Sequence, residues 1–229
     1  MEKLTIITGG GSGLGIELAR IISKEEAVCI VGRDGAKLDR AKANLEADGA
    51  KCIITRSADV ANDVQVKELF LSLKEYHIHR VINCAGVGKF GNPEDITTEM
   101  VEELIGSNLL SVIYMSSTAI GYMKELGGSI VTILSTAAVK GTATESIYCA
   151  SKWGARGYCE SLKAAFKGSN IKILTVCPGG INTPFWSESC GRTPNVESFM
   201  KAEELADVIY YNIKDKDSLY CSDILIERL

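Results

Sequence analysis

Short β-branched or apolar runs punctuate the chain at Leu4–Thr8, Ala27–Val31, Cys52–Thr55, Arg80–Asn83, Ser129–Leu134, Ile171–Cys177 and Leu219–Ile226, with longer stretches of helical periodicity between them. Alternation of this kind predicts a parallel sheet covered by helices on both faces, because each crossover between parallel strands needs a connection of helical length. In the first helical stretch Leu14, Leu18, Ile21 and Ile22 fall on one stripe while Glu17, Arg20, Lys24 and Glu25 face elsewhere, so that stripe is expected to pack on the sheet. Seven strands and the intervening helices fit 229 residues as one α/β, doubly wound domain covering 1–229. Right-handed crossovers then bring the C-terminal ends of the strands to one edge, where ligands are expected. The stretch 178–200, rich in Gly, Pro, Ser and Asn, is long enough to read as a substrate loop.

Bulk properties remove several function classes. A formal charge of −4 and a pI near 5.4 disfavour a nucleic-acid partner, which needs a concentrated excess of Lys and Arg. No uninterrupted apolar run approaches the roughly 18–20 residues that span a bilayer, and Met1-Glu2-Lys3 leads straight into a strand, so no membrane association and a cytoplasmic location are expected. The eight cysteines are scattered without a CxxC pair and sit among Val, Ile and Ala, which reads as buried reduced thiols. His77 and His79 lack neighbouring Cys or carboxylate ligands, so no metal is expected, and both are read as solvated or edge residues.

Thr8-Gly9-Gly10-Gly11-Ser12-Gly13-Leu14-Gly15 follows the first strand directly and opens the first amphipathic helix. Glycines allow close backbone approach to a pyrophosphate, and the free N–H groups at a helix start stabilise its charge. A tight turn with no ligand is the plainer alternative. Neither a strict GxGxxG nor a P-loop fits, since no Gly-Lys-Ser/Thr closes the segment. With its glycines spaced Gly-x-x-x-Gly-x-Gly after strand one, the segment resembles that of the short-chain dehydrogenase/reductase family. The resemblance implies a Rossmann fold with strand order 3-2-1-4-5-6-7 and a nicotinamide dinucleotide bound by Thr8, Gly9, Gly11, Ser12, Gly13, Leu14 and Gly15. At the end of strand two stands Val31-Gly32-Arg33-Asp34. Arg33 can pair with a 2′-phosphate and Gly32 offers no repelling carboxylate, which favours NADP (NADPH) over NAD. Asp34 has a second reading as the cap of the next helix. The basic residue that NADP enzymes of the family often carry in the glycine turn is absent, Ser12 being neutral.

Further motifs follow in family order. Asp59-Val60 resembles the pair that contacts the adenine, and Asn83-Cys84-Ala85-Gly86 is similar to the family's Asn-Asn-Ala-Gly, with Cys84 departing from it. The resemblance assigns Asn83, Ala85 and Gly86 to the cofactor wall; strand-end turn chemistry is the alternative. Tyr148-Cys149-Ala150-Ser151-Lys152 places a phenol and an ammonium one helical turn apart. A cation that close lowers a Tyr pKa of about 10 by roughly 1–3, which eases proton exchange near neutrality. Thr142-Ala143-Thr144-Glu145 reads as a capping box that starts the Tyr148 helix. Ser135 ends strand five, thirteen positions earlier, so the two can meet at the sheet edge. Asn108 lies within a long helix, where it either faces solvent or is buried and satisfied by an ordered water leading towards Lys152.

As the resemblance implies, Ser135 holds the substrate oxygen, Tyr148 gives or takes its proton, Lys152 lowers the Tyr148 pKa and holds the nicotinamide ribose, and Asn108 supports a relay water. Cys177-Pro178-Gly179-Gly180-Ile181-Asn182-Thr183 is similar to the family's Pro-Gly turn, which assigns Pro178, Gly179, Ile181 and Thr183 to the nicotinamide. Val87, Phe90, Phe185 and Trp186 either close over a hydrophobic substrate or pack the loop onto the protein. The expected function is NADP-dependent transfer of hydride between the nicotinamide and a small-molecule carbonyl or alcohol substrate, as a carbonyl reductase. An NAD-dependent alcohol dehydrogenase is the enzymatic alternative. An NADP-sensing regulator is the non-enzymatic one, disfavoured because a sensor needs no proton donor. By resemblance the chain is expected to form a homodimer or homotetramer through the helices that carry Asn108 and Tyr148.

Overall fold

The computed structural model describes residues 1–187, 190–216 and 218–228. Seven parallel strands form one sheet: β1 (Lys3–Thr8), β2 (Ala27–Gly32), β3 (Ile53–Ser57), β4 (His77–Asn83), β5 (Gly128–Ile133), β6 (Ile171–Pro178) and β9 (Asp223–Ile226). Their order is β3-β2-β1-β4-β5-β6-β9, the expected doubly wound arrangement. Strand β9 is the seventh strand of the sequence pattern, shortened at its start because Leu219 and Tyr220 lie exposed before it. Two further strands, β7 (Ile181–Asn182) and β8 (Met200–Lys201), pair with each other and bracket the expected substrate loop.

Side chains alternate across each strand and so supply two cores. Ala27, Cys29 and Val31 of β2 face a core built with α3 (Asp63–Leu71), α5 (Ser111–Met123) and α6 (Ser146–Ala165). Val28 and Ile30 face the other, built with α1 (Gly13–Ile22), α2 (Gly35–Ala47) and α7 (Ala202–Ile213). Leu14, Leu18 and Ile22 of the predicted stripe are buried there, with Ile21 partly so. Helix α4 (Thr98–Ile105) runs through a π-helical turn, Gly106–Leu110, into α5. Among the described residues the continuous helix Thr98–Met123 is the one long and apolar enough to cross a membrane by length and composition. In the fold its stripe Val112, Met115, Ala119 and Met123 is buried against β4 and α3, which accounts for its apolar character.

The histidines depart from expectation. Strand β4 lies centrally, between β1 and β5, and a register shift opposite Leu4 and Thr5 makes room for an extra residue there. His79 occupies that bulge, 8% exposed, with Nε2 3.0 Å from an Asp215 carboxylate oxygen. His77, half-buried, lies with Nε2 3.1 Å from the Gly127 carbonyl. Burial of His79 was illegible because its partner arrives from the end of α7. All eight cysteines are free thiols, five of them buried.

Candidate active site

The C-terminal ends of the strands open into a cleft of about 720 Å³. At one end lies the glycine turn. The Thr8 hydroxyl accepts hydrogen bonds from the backbone N–H groups of Cys84 and Ala85, each 3.0 Å, and so fastens the turn to the segment after β4. A side chain at Gly15 would place its Cβ 2.4 Å from the Gly9 carbonyl oxygen, and Gly9 itself has φ +69° with Ala85 backbone in contact. Ser12 stands at the N-cap of α1 in extended conformation without capping through its side chain, leaving the first amides of the helix to the cleft. A cradle walled by Gly9, Ser12, Gly13, Leu14 and Gly15 at a helix start without a side-chain cap fits a pyrophosphate. Gly11 is not part of that wall and sits against the Lys37 and Leu38 side chains.

The residues assigned to the adenosine end divide. Arg33 is exposed at the end of β2, its carbonyl accepting from Ser57 Oγ (3.0 Å), and it is not part of the cleft wall. Asp34 caps α2, accepting from the Lys37 N–H at 3.0 Å, so its reading as a helix cap holds. Lys37, which sequence reasoning missed, does line the cleft, with its stem 3.4 Å from where a Cβ on Gly11 would sit. The signal was available: an N-cap at Asp34 turns the first residues of α2 back towards the glycine turn. Asp59 spends its carboxylate on the Ala61 N–H (3.0 Å) and Val60 packs partly into the core, both outside the cleft wall. Asn83 lies beneath the cleft, donating to Ser116 Oγ (3.1 Å) and Thr132 Oγ1 (3.4 Å). Ala85 and Gly86 line it.

Asn108 is 1% exposed in the π-helical turn. Its Oδ1 accepts from the Val87 N–H (2.9 Å), and its Nδ2 donates to the Val87 carbonyl (3.0 Å) and Ser151 Oγ (3.1 Å). The solvent-facing reading therefore fails: the Asn108 side chain is buried and bonded to protein groups. Ser135 follows β5 and caps a short 3₁₀ turn through the Ala137 N–H (3.1 Å). Its hydroxyl lies close enough to the Tyr148 phenol to oppose the rise in that group's pKa. Lys152, one turn along α6, donates to the Ile133 carbonyl at 3.2 Å, its Nζ 5.8 Å from the Tyr148 ring centre.

The pair's electrostatics correct the sequence expectation. Burial pushes the Tyr148 phenol above its ordinary value; the neighbouring Ser135 hydroxyl opposes this and the Glu145 carboxylate adds to it. Burial likewise pulls Lys152 down to about 8, with Cys84 and Cys177 opposing. Desolvation, not attraction between the two, dominates both groups.

The expected capping box does not form. Thr144 has φ 63°, Glu145 occupies the N-cap of α6 without a side-chain cap, and its carboxylate turns into the cleft to meet Arg192 at 2.7 Å. Pro178, Gly179, Ile181 and Thr183 line the cleft beyond Lys152, with the Gly179 N–H bound to the Ile226 carbonyl (2.9 Å). Phe90 and Phe185 reach Tyr148 with ring centres 5.4 and 6.1 Å away, and Trp186 packs on both. Val87 completes that wall.

The model of the short chain dehydrogenase family matches residues 3–191. The chain is 32% identical over 199 residues to a sepiapterin reductase of Chlorobaculum tepidum, covering 82% of this chain and 81% of that one. It is 29% identical over 219 residues to carbonyl reductase family member 4 of Xenopus laevis, covering 92% and 91%. Among solved structures it superposes on a short-chain dehydrogenase/reductase from Vibrio parahaemolyticus with a TM-score of 0.86 at 33% identity, over 98% of this chain and 100% of the other.

Proposed function

The chain belongs to the short-chain dehydrogenase family, and on that footing we propose that it is an NADP(H)-dependent oxidoreductase that reduces a small-molecule carbonyl compound, with Tyr148 as proton donor. The supporting observation is the convergence of Ser135, buried Tyr148 and, one turn along the helix, buried Lys152 on the wall of the cleft that begins at the glycine turn.

In this reading the cradle from Thr8 to Gly15 holds the pyrophosphate, Lys37 and Arg33 favour a 2′-phosphate, Lys152 holds the ribose, and Pro178 to Thr183 border the nicotinamide. Bound there, the dinucleotide supplies the hydride. Ser135 donates to the substrate oxygen and fixes it beside the phenol. Tyr148, raised by burial, stays protonated at neutral pH, so its ground state is a proton donor. With its pKa near 8, Lys152 is mostly an ammonium at neutral pH and stabilises negative charge on the phenol as the proton leaves.

Positioned proton donors contribute about 10²–10⁴-fold. Tyr148→Phe is expected to lower turnover by that factor in NADPH oxidation assays over a carbonyl panel, while NADPH affinity by fluorescence titration stays within about twofold. Undiminished turnover in that variant refutes the assignment.

A further inference from the structure

We propose that the substrate end of the cleft recognises a flat, conjugated carbonyl compound carrying a ring N–H, with Glu145 accepting that hydrogen and Phe90, Phe185 and Trp186 forming the walls. The inference rests on the carbonyl-reductase reading of the same site and narrows it.

Flatness follows from the walls. Phe90 and Trp186 stack with ring centres 5.6 Å apart at 26°, while Phe185 stands edge-on to Trp186 at 5.1 Å and 78°. Gly88 permits the arrangement, since a Cβ there would lie 2.6 Å from Phe185 and 2.8 Å from Phe90. The rings adjoin Tyr148, so a planar substrate lying against them keeps its carbonyl near the phenol. Aromatic faces favour conjugated rings over flexible chains of equal area.

The place for a donor follows from Glu145. Its side chain is only 11% exposed, and burial raises its carboxyl pKa despite the Arg192 guanidinium beside it. Arg192 bonds Oε1, and Oε2 accepts no hydrogen bond among the described residues. Oε2 is not among the buried unpaired atoms and so opens to the cleft, where a ligand's N–H can donate to it in place of solvent. The backbone holds it in that position at a cost: Thr144, a β-branched residue, adopts φ 63°, and its carbonyl is tied to the Gly91 N–H at 2.9 Å. Phe90 N–H in turn bonds the Cys190 carbonyl at 2.8 Å, joining the Arg192 segment to the same wall.

Charge argues against an anionic substrate. Lys89 pairs with Glu103 (2.8 Å), Lys140 with Glu227 (3.2 Å), and Arg228 lies over the Phe199 ring. Each of these cations in the cleft wall already has a partner, whereas the Glu145 carboxylate has an acceptor to offer.

The test is a matched pair: isatin, a flat ring ketone with one N–H, and N-methylisatin, which lacks it, with 2-octanone as the aliphatic comparison. Wild-type protein is expected to favour isatin over N-methylisatin by about 10-fold or more in kcat/KM, as for a buried hydrogen bond to a charged acceptor. Glu145→Ala should bring that ratio close to one and Glu145→Gln to an intermediate value, with circular dichroism establishing that both variants fold. Calorimetric titration of the same pair onto each protein reads recognition without turnover. If none of the three compounds oxidises NADPH, the carbonyl-reductase reading fails while the calorimetric ratio still decides this one. Equal affinity for isatin and its N-methyl form, no binding of either, a ratio unmoved by Glu145→Ala, or a preference for 2-octanone overturns the proposal.

Discussion

Replacing Lys152 by Met is expected to make the fold more stable at neutral pH while removing activity. The side chain is buried, and burial pulls its pKa from 10.5 to about 8. At about 1.4 kcal/mol for each tenfold change in proton affinity, keeping the ammonium in that site costs about 3 kcal/mol. Met fills the space of the Lys stem with little repacking. The substitution also removes the bond from Nζ to the Ile133 carbonyl, worth about 1 kcal/mol, so the net gain is about 2 kcal/mol. The sign has a pH signature. Unfolded chains hold the Lys152 proton up to about pH 10.5 and folded ones only to about 8, so between those values the unfolded state binds more protons and wild-type stability rises with pH. The advantage of the Met variant is therefore full below about pH 8, shrinks above it and is gone near 10.5. Urea unfolding of both proteins at pH 7 and pH 9.5 measures the gap. A Met variant less stable at pH 7, or a gap independent of pH, refutes the reasoning.

Asn108→Ala removes three hydrogen bonds and strands the Val87 N–H, which should lower unfolding free energy by about 2–3 kcal/mol in urea titrations. Lys37→Ala is expected to weaken NADPH binding by about 10-fold and leave NADH binding unchanged, with Arg33→Ala having the smaller effect; fluorescence titration with both dinucleotides decides it. His79, whose pKa is lowered chiefly by burial and then by Arg80, resists the proton that the unfolded chain accepts below 6.5. Stability should accordingly fall as pH drops from 7 to 5, and His79→Asn should flatten that slope in parallel urea series.

Where side chains answer to their neighbours in sequence, the chain could be read; where they answer to distant ones, it could not. Strands buried on both faces show as unbroken apolar runs, which made the seven-stranded sheet legible, whereas the two-residue strands β7 and β8 carry no period to detect. The glycine turn was legible because its backbone demands Gly at positions 9 and 15 whatever else the fold does. Ser135, Tyr148 and Lys152 could be placed together because strand five and the helix after it fix their spacing. Lys37 was hidden behind Arg33, since charge type alone does not say which of two cations four positions apart faces the cleft. Glu145 shows the limit most clearly. Its spacing from Thr142 satisfies a local capping pattern, yet an Arg 47 positions away offers a charge-assisted bond that the local cap does not, and the positive φ at Thr144 turns the carboxylate towards it. A motif that fails for this reason points to a residue recruited by the cleft, and the same competition that defeats the helix cap is what leaves an acceptor beside Tyr148.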